Sequence, residues 1–255
     1  MKKISITEYN PKYTNLPTAF DNFRIAVIAD LHNANFKGKL EKSVKDNFPD
    51  IIVIVGDLIN FEKRYTHALN FIKNAVKIAP VFYVNGNHEG RFKRYDLFRK
   101  ILQDTGVILL ENKTHTLTKG DSEITLIGIN DPKFFVKPKG GSKKEEFKKT
   151  LVQICNQYKN DFKVLLVHRP EYFDFYVKCD IDLTLAGHTH GGQIRLPKIG
   201  ALYAIGQGLL PKYAGGLKSQ GEKYIVISKG FSQTFRTPPR VFNIRELAFV
   251  NLQVR

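Results

Sequence analysis

The sequence predicts an α/β fold. Three observations support this class: short runs of β-branched and apolar residues, amphipathic segments between them, and glycine or proline where those segments end. A run of four to eight apolar residues is typical of a strand buried on both faces. Apolar residues at every third or fourth position are typical of a helix that packs on a core. Strands that alternate with helices along a chain are characteristic of α/β proteins.

Seven segments have the apolar, β-branched composition of buried strands. They are residues 23–30, 51–57, 81–87, 124–131, 163–168, 181–188 and 224–228. Two further segments carry apolar residues at alternating spacings of four and three positions. These residues are Tyr65, Leu69, Ile72, Val76 and Ala79 in one segment, and Phe147, Leu151, Ile154 and Tyr158 in the other. The spacing predicts two helices whose apolar stripes face the core.

Glycine and proline predict the ends of other elements. Pro49 and Gly106 are placed to end two more helices, and Pro170 is placed to begin a short one. Residues 196–223 are rich in glycine and proline and have no regular apolar period. We therefore expect a long loop or an irregular hairpin region there, beside the functional face.

The composition limits the class of protein. The chain has no run of about 18 apolar residues, so it predicts no membrane-spanning helix, and its first residues lack the apolar stretch of a secretory signal. Cys155 and Cys179 do not form a CxxC pair, so we expect buried, reduced thiols. These observations favour a cytoplasmic protein. They leave open whether an anchor segment precedes Met1.

The charge indicates anionic partners without identifying them. The chain has 40 basic and 24 acidic residues and a formal net charge of +16. Phosphorylated small molecules, nucleic acids and acidic lipid surfaces would all suit this charge, and a solvated lysine-rich surface would explain it equally well. The sequence contains no helix-turn-helix signature or basic motif interleaved with aromatic residues, so only charge favours nucleic acid. It does not indicate an oligomeric state.

Metal-binding residue types follow five of the predicted strands. They are Asp30 with His32, then Asp57, then Asn87 with His88, then His168, and finally His188 with His190. Ligands of open α/β sheets bind at the carboxyl ends of strands, so we expect these side chains to converge on one site.

The residue types predict the chemistry of that site. Carboxylate and amide oxygens with imidazole nitrogens suit Mn²⁺, Fe²⁺ or Zn²⁺, and the lack of cysteine argues against a closed structural zinc site. The ligands are too many for one ion, whereas two ions bridged by an aspartate would use them. Two divalent ions would outweigh the charges of Asp30 and Asp57, and the excess positive charge would attract hydroxide and a phosphate ester oxygen.

The segment AGHTHGG, residues 186–192, places two histidines one residue apart. In an extended segment the side chains of His188 and His190 would project to the same side, so two imidazoles could reach two adjacent ions. Gly187, Gly191 and Gly192 would let the backbone turn closely around the cluster. A lone histidine is more often a core or surface residue, but five histidines at strand ends favour ligation.

Together these motifs resemble those of the calcineurin-like metallophosphoesterases. The motifs are Asp30-Leu31-His32, Gly56-Asp57, Gly86-Asn87-His88-Glu89, His168 and Gly187-His188-Thr189-His190, in this order. The resemblance extends from about residue 23 to the C-terminus. Residues 187–197, 206–213 and 228–247 are similar to a bacterial branch that includes phosphodiesterases associated with the cell envelope and lipid A precursor hydrolases.

The resemblance implies a fold that the strand pattern alone does not distinguish from a simple doubly wound sheet. This fold is an αββα sandwich, in which two facing mixed β-sheets are flanked by helices. Residues 1–255 would then form a single metallophosphoesterase domain, with residues 1–22 as an N-terminal lead-in segment.

The resemblance also implies roles for the site residues. Asp30, His32 and His190 would bind the first ion, Asn87, His168 and His188 would bind the second, and Asp57 would bridge the two. The implied enzyme is a dinuclear phosphodiesterase or pyrophosphatase that uses Mn²⁺ or Fe²⁺, with Zn²⁺ as a further option. Its substrate would be a phosphorylated molecule, with lipid-linked and nucleotide compounds as candidates.

His88 is the candidate catalytic acid. Its neighbour Asn87 is directed at a metal ion, so the next side chain can face the substrate instead. In the mechanism that the resemblance implies, hydroxide attacks phosphorus and protonated His88 donates to the departing oxygen.

Several other polar residues adjoin the motifs. Asn33 and Arg91 are candidate phosphate ligands. Glu89 is expected to orient a ligand histidine, and Asn60 stands where many relatives have an acidic residue. Arg169 and Arg195 either face the cleft or neutralise their neighbours.

The alternative function is a basic, non-catalytic module that binds nucleic acid or a membrane surface and has a structural metal site. Peripheral membrane contact is suggested by the net charge and by apolar residues of the glycine-rich region, interleaved with lysines. These residues are Leu202, Tyr203, Ile205, Leu209, Leu210 and Tyr213, with Lys198 and Lys212. Packing of the apolar residues on the sheet is the simpler expectation. The intact ligand set favours catalysis.

Overall fold

Two six-stranded mixed sheets form the centre of the protein in a computed structural model. The structure describes residues 3–60, 64–158, 161–197, 199–232 and 240–255. The strands are β1 Ile4–Tyr9, β2 Lys12–Tyr13, β3 Arg24–Ile28, β4 Ile51–Val55, β5 Val81–Val84, β6 Ile108–Leu109, β7 Lys113–Lys119, β8 Ser122–Gly128, β9 Lys163–Leu166, β10 Leu183–Ala186, β11 Arg195–Leu196, β12 Gly200–Ala201, β13 Tyr203–Ala204, β14 Gly208–Leu209, β15 Gly216–Gln220, β16 Lys223–Ile227, β17 Arg245–Asn251 and β18 Gln253–Val254.

The described residues also contain five α-helices. They are α1 Lys39–Lys45, α2 Thr66–Ala75, α3 Tyr95–Asp104, α4 Lys143–Cys155 and α5 Phe173–Lys178. A capping box begins α4, in which the Ser142 hydroxyl accepts the backbone N–H of Glu145 and the Glu145 carboxylate accepts that of Ser142. Single 3₁₀ turns cover Thr18–Phe20, Glu89–Arg91, Pro132–Phe134, Pro170–Tyr172 and His190–Gly192.

Each sheet has a parallel centre and at least one antiparallel pairing. The first sheet has the order β1-β17-β3-β4-β5-β6, with β3 to β6 parallel and β17 antiparallel to β3. The second has the order β15-β16-β10-β9-β8-β7, with β16, β10, β9 and β8 parallel and antiparallel strands at both edges. Parallel strands end on the same edge of a sheet, so the loops after them gather there.

The core has three layers of apolar contact. Alternate residues of the two sheets, such as Val53 and Leu185, pack in one cluster between the sheets. The opposite face of the first sheet packs on α1, α2 and α3, and that of the second sheet packs on α4 and α5. The architecture is therefore the predicted pair of facing mixed sheets flanked by helices, and a single doubly wound sheet is excluded.

All seven predicted strands are present, and both predicted helices form. The predicted stripe on α2 is displaced, because Ala68, Phe71 and Ala75 are its buried residues together with Ile72, while Leu69 and Val76 lie at the margin. The sequence interpretation missed edge strands such as β7, whose side chains are mostly half-buried or exposed. A half-exposed strand does not need a continuous apolar run.

Residues 1–22, predicted as a lead-in, include β1, which pairs parallel to β17 in the first sheet. The expected irregular region contains two two-stranded hairpins, β11 with β12 and β13 with β14, followed by the edge strand β15. Within the part of the chain that the structure describes, no helix is both long and apolar enough to cross a bilayer. Cys155 is buried, Cys179 is partly buried, and neither forms a disulfide.

The expectation that the apolar residues of the glycine-rich region pack on the sheet is wrong for four of the six. Tyr203, Ile205, Leu209 and Leu210 are exposed, while Leu202 is partly buried and Tyr213 is buried. The short hairpins that carry the four exposed residues have too few strands to bury both of their faces. Lys198, named with them, lies outside the described residues.

The contact between the sheets supplies an expected stability effect. Leu166 is fully buried between them, so Leu166→Ala should lower the free energy of unfolding by about 2–5 kcal/mol. Urea denaturation measures the change. Leu97→Ala is the control, because Leu97 is half exposed on α3 and its truncation should change stability much less. A Leu166→Ala protein as stable as the control would contradict this packing.

Candidate metal centre

The predicted site residues lie in loops at the carboxyl ends of strands from both sheets. Asp30, Asp57 and Asn87 follow β3, β4 and β5 of the first sheet, whereas His168 and His188 follow β9 and β10 of the second. The structure brings these loops together at one end of the sandwich. The site therefore lies at the carboxyl ends of strands from two facing sheets, rather than along the edge of a single sheet.

One group of side chains surrounds the free oxygen of Asp30. His32 Nε2 lies 3.8 Å from Asp30 Oδ1, and His190 Nε2 lies 3.9 Å from the same oxygen. All three ligand atoms lie within 4.8 Å of one another, and the residues are buried. These separations leave room for a cation between the atoms but are too long for direct hydrogen bonds.

A second group surrounds His168. Its Nε2 atom lies 3.3 Å from Asn87 Oδ1 and 3.1 Å from His188 Nδ1. Asp57 lies between the two groups, because its Oδ2 atom is 3.4 Å from His168 Nε2 and 3.6 Å from His32 Nε2. One carboxylate thus faces imidazoles of both groups.

The hydrogen bonds of the two carboxylates position them. Asp30 Oδ2 accepts the backbone N–H of His188 at 3.0 Å, and Asp57 Oδ1 accepts that of His88 at 2.8 Å. Each aspartate is therefore fixed through one oxygen by a loop from another strand. Its second oxygen remains directed at the histidines.

Hydrogen bonds also determine which ring nitrogens face the centre. His168 Nδ1 lies 2.9 Å from the carbonyl oxygen of Val55, which only accepts, so this nitrogen carries the proton. His32 Nδ1 lies 2.9 Å from Asn60 Oδ1, and Asn60 Nδ2 donates to the carbonyl oxygen of His32. When each ring is neutral, its Nε2 atom carries the lone pair and faces the centre, as metal ligation requires.

Two buried ligand atoms without hydrogen-bond partners indicate that the site suits cations. Asp30 Oδ1 and His32 Nε2 are buried and have no hydrogen-bond partner among the described residues. Buried polar atoms are nearly always paired, so such a pair of orphaned ligand atoms calls for an explanation. Oxygen and imidazole nitrogen donors in this mixture suit Mn²⁺, Fe²⁺ or Zn²⁺, so the residues fit a pair of divalent ions.

Protonation in the site follows burial and the aspartate charges. Burial, reinforced by Asp57, raises the pKa of Asp30 to about 7. Burial opposes the charged form of His168, but Asp57 and Asp30 outweigh it and raise the pKa of this histidine to about 10. For His32 burial prevails over Asp57 and lowers the pKa to about 4. Protons and metal ions compete for such groups, so metal binding should release protons.

The backbone is strained where the ligands lie. Asp30, His32, Asp57, His188 and His190 all have φ between +48° and +72°, in the left-handed region. Each such residue other than glycine costs about 1–3 kcal/mol and persists only where its surroundings hold it. The expected extended segment at residues 188–190 is therefore wrong: the chain turns there, and the His168 and His188 rings pair, as do those of His32 and His190.

Two glycines allow the backbone to pack directly on the carboxylates. A Cβ atom on Gly187 would lie 2.7 Å from Asp30 Oδ2, and one on Gly86 would lie 2.3 Å from Asp57 Oδ1. Both distances are shorter than van der Waals contact. The expected close approach at Gly187 is thus present.

Glu89 binds the backbone of the loops that follow β4 and β5, rather than a histidine side chain. It is fully buried, and its carboxylate accepts the backbone N–H groups of Asp57, Ile59 and Gly86 at 2.9–3.1 Å. The expectation that Glu89 orients a ligand histidine is wrong for this reason. Its effect on the site acts through the backbone that carries Asp57 and Asn87.

His88 lies at the solvent side of the centre. Its side chain is 18% exposed, and Nε2 is 3.8 Å from Asp57 Oδ2. Burial lowers the pKa of His88, with His168 and Arg91 acting in the same direction against Asp57. Arg91 is exposed next to this loop. The Asn33 side chain accepts the backbone N–H of Ala68 and donates to the carbonyl oxygen of Arg64, which ties its loop to α2.

Arg169 is a residue whose position the sequence interpretation left undecided. Its Nη1 atom lies 3.2 Å from His188 Nε2. Its Nε donates at 2.6 Å to Asp131, which is fully buried, and Nη1 donates at 3.2 Å to Glu171. The available signal was its place directly after His168, at the end of a strand. Arg195 instead donates to the carbonyl oxygen of Gly191.

Residues 23–192 match the family model described as calcineurin-like phosphoesterase. The chain is 27% identical to the uncharacterised metallophosphoesterase YkuE of Bacillus subtilis (strain 168), over 98% of this chain and 86% of YkuE. It is 26% identical to the phosphodiesterase YaeI of Escherichia coli (strain K12), over 84% and 76%. The crystal structure of TT1561 of Thermus thermophilus matches with a TM-score of 0.50 at 13% identity, over 81% and 89%, and shows the fold alone.

The contact between Asn60 and His32 supplies an expected effect on metal affinity. Asn60→Ala removes the acceptor that fixes the proton on His32 Nδ1, so Mn²⁺ should bind about 10- to 100-fold more weakly. Isothermal titration calorimetry measures the affinity. Asn60→Asp keeps an acceptor oxygen and is the matched control, with affinity at least as high as that of the original chain. Equal affinities for the alanine and aspartate variants would refute the orienting role.

Proposed function

Because the chain belongs to the calcineurin-like phosphoesterase family, we propose that it is a dinuclear metal-dependent phosphohydrolase of the phosphodiesterase or pyrophosphatase type. Membership of the family indicates a metal-dependent phosphoester hydrolase. The position of Asp57 supports a centre with two ions. Its Oδ2 atom lies within 3.6 Å of a histidine of each ligand group. A carboxylate placed between two ligand groups suits a pair of adjacent ions.

The two groups have distinct proposed roles. Asp30, His32 and His190 would hold one ion, Asn87, His168 and His188 would hold the other, and Asp57 would contribute its carboxylate to both. Mn²⁺ and Fe²⁺ are the ions that we expect, with Zn²⁺ as a further option for the same donors. Bound ions would supply Lewis acidity and a water activated for attack on phosphorus.

His88 is the proposed general acid. The backbone N–H of His88 is fixed on Asp57, and its partly exposed ring stands at the edge of the centre, where a substrate can approach. A ring in this position can hold a proton on Nε2 and transfer it to the leaving oxygen of the substrate.

Arg169 is the proposed ligand of a phosphoryl oxygen. The contact with buried Asp131 fixes the guanidinium, and the side chain remains partly exposed beside His188. A planar guanidinium binds two oxygens of a phosphate at once, which a lysine does not do. Arg91, exposed next to the His88 loop, is a second proposed phosphate ligand. Asn33 is a third, although its side-chain oxygen already accepts the backbone N–H of Ala68 on α2.

The type of substrate follows from the relatives only in outline. YaeI is named a phosphodiesterase, which supports a diester as the substrate of this chain. Lipid-linked phosphates and nucleotides are both compatible with a positively charged protein, whose formal charge is +16.

Substitution of the proposed acid should separate catalysis from metal binding. We expect His88→Ala to lower kcat by roughly 100-fold or more, because the leaving oxygen loses its proton donor. The assay is release of p-nitrophenol from bis-p-nitrophenyl phosphate with Mn²⁺, and metal content is measured on the same samples. EDTA should abolish turnover of the original chain.

His67→Ala is the control, because His67 is exposed on α2 and should leave turnover unchanged. Near-normal turnover of His88→Ala at full metal content would remove the acid role from this residue.

Substitutions of Arg169 test the phosphate contact. Arg169→Ala should lower kcat/KM by about 10- to 100-fold, since it removes a charged pair of hydrogen bonds to the substrate. Arg169→Lys should recover only part of the loss, because an ammonium group lacks the planar fork. Steady-state kinetics with the same diester measure both. If the alanine variant kept the original kcat/KM, Arg169 would have no role in binding phosphate.

A further inference from the structure

Several large apolar side chains are exposed in and beside the β11–β12 and β13–β14 hairpins. We define the apolar rim as Ile199, Tyr203, Ile205, Leu209, Leu210 and Phe242, which range from 42% exposed at Ile205 to 80% exposed at Leu209. Scattered apolar residues are normal on a protein surface, but a group of large ones is not and marks an interaction site.

Backbone contacts hold the members of the rim next to one another. Tyr203 lies opposite Leu209 in the β13–β14 hairpin, and the backbone N–H of Leu210 donates to the carbonyl oxygen of Leu202. Ile199 and Leu210 line one groove of about 130 Å³. Phe242 lines a second groove, of about 430 Å³, and both grooves contain Arg195 and Gly200.

The rim is attached to the turn that carries two of the proposed metal ligands. Thr189 Oγ1 donates to the carbonyl oxygen of Ala214 at 2.9 Å, immediately after the hairpins. On the other side, Asn243 Nδ2 donates to the carbonyl oxygen of His190 at 2.8 Å, next to Phe242. The segments on both sides of the rim are therefore bonded to the turn that carries His188 and His190.

The segment that forms the rim has a one-sided charge. Residues 183–245 contain nine basic residues and a single acidic one, Glu222. Lys223 and Lys229 pair with Asp182 and Glu246, which lie just outside this range, and Lys198 and Arg236 lie outside the described residues. Arg195 and Arg240 donate to backbone carbonyl oxygens rather than to carboxylates, so these bonds do not cancel their charges. Lys218 is exposed on β15. The neighbouring Asp174 on α5 pairs with Lys212, which leaves the surface with a net positive charge.

From this combination we infer that the apolar rim binds the surface of an anionic lipid bilayer. Exposed apolar side chains gain free energy when they enter the boundary between headgroups and acyl chains, and nearby cations are attracted to acidic lipids. Two copies of this surface would bring like charges together, which disfavours a homodimer through the rim. The partner that complements both the apolar and the positive character is a negatively charged membrane.

Vesicle sedimentation tests this inference with the full chain. The probes are phosphatidylcholine vesicles with and without phosphatidylglycerol. We expect binding to the anionic vesicles, much weaker binding to the neutral ones, and a decrease in binding as salt is raised. The double variant Leu209→Glu with Leu210→Glu should bind roughly tenfold more weakly or worse, since it removes apolar contact and adds negative charge.

Matched control variants separate the rim from the rest of the surface. Val136→Glu alters a residue that is 82% exposed outside the rim and should leave vesicle binding unchanged. Lys218→Glu should weaken binding to the anionic vesicles, whereas Lys149→Glu, on the exposed side of α4, should weaken it less. Turnover of bis-p-nitrophenyl phosphate should be unchanged in all four variants, so a failure of membrane binding is distinguishable from a failure of the proposed catalysis.

Three results would overturn the inference. They are no binding of the original chain to anionic vesicles, equal binding by the rim variant and the Val136→Glu control, and a dimer in sedimentation velocity that the rim variant abolishes. The last result would assign the rim to contact between copies of the chain.

Discussion

Two buried carboxylates impose the constraint on which the rest of the site depends. Asp30 and Asp57 each accept a backbone N–H from the loop of another strand through one oxygen, and each directs the other oxygen at imidazole nitrogens. Buried carboxylates without compensating positive charge are unfavourable. Divalent ions would supply that charge, and the surrounding nitrogen and oxygen donors suit them. Folding of these loops and metal binding are therefore linked.

The sandwich provides the rigidity that such loops need. Parallel strands in both sheets end on the side of the centre, and the apolar cluster between the sheets keeps the two sets of strand ends in place. Left-handed backbone at Asp30, Asp57 and His188 is unfavourable in isolation. At Asp57, Glu89 helps to hold this conformation by accepting the backbone N–H groups of Asp57, Ile59 and Gly86. The site thus uses stability from the core to hold a conformation that its own residues would not adopt.

The buried strands could be predicted because buried parallel strands have continuous apolar sequences. The site residues could be predicted because polar residues directly after such strands lie at the carboxyl ends, where ligands bind. Edge strands such as β7 could not be predicted, because half-exposed strands lack a continuous apolar run. The turn at residues 188–190 was missed because its left-handed backbone depends on the Asp30 contact from a distant loop. The environment of Arg169 was undecided for a similar reason: Asp131 is 38 residues away in sequence. Contacts between residues so far apart in sequence depend on how the sheets pack, and a local sequence pattern does not indicate them.

In the proposed centre, Asp57 lies between two bound ions. Anomalous diffraction from crystals grown with Mn²⁺, recorded at the manganese edge, tests it most directly. The account predicts two peaks, one beside Asp30, His32 and His190 and the other beside Asn87, His168 and His188, with the Asp57 carboxylate in contact with both. A single peak, or none at full Mn²⁺ with these side chains unchanged, would contradict the dinuclear centre.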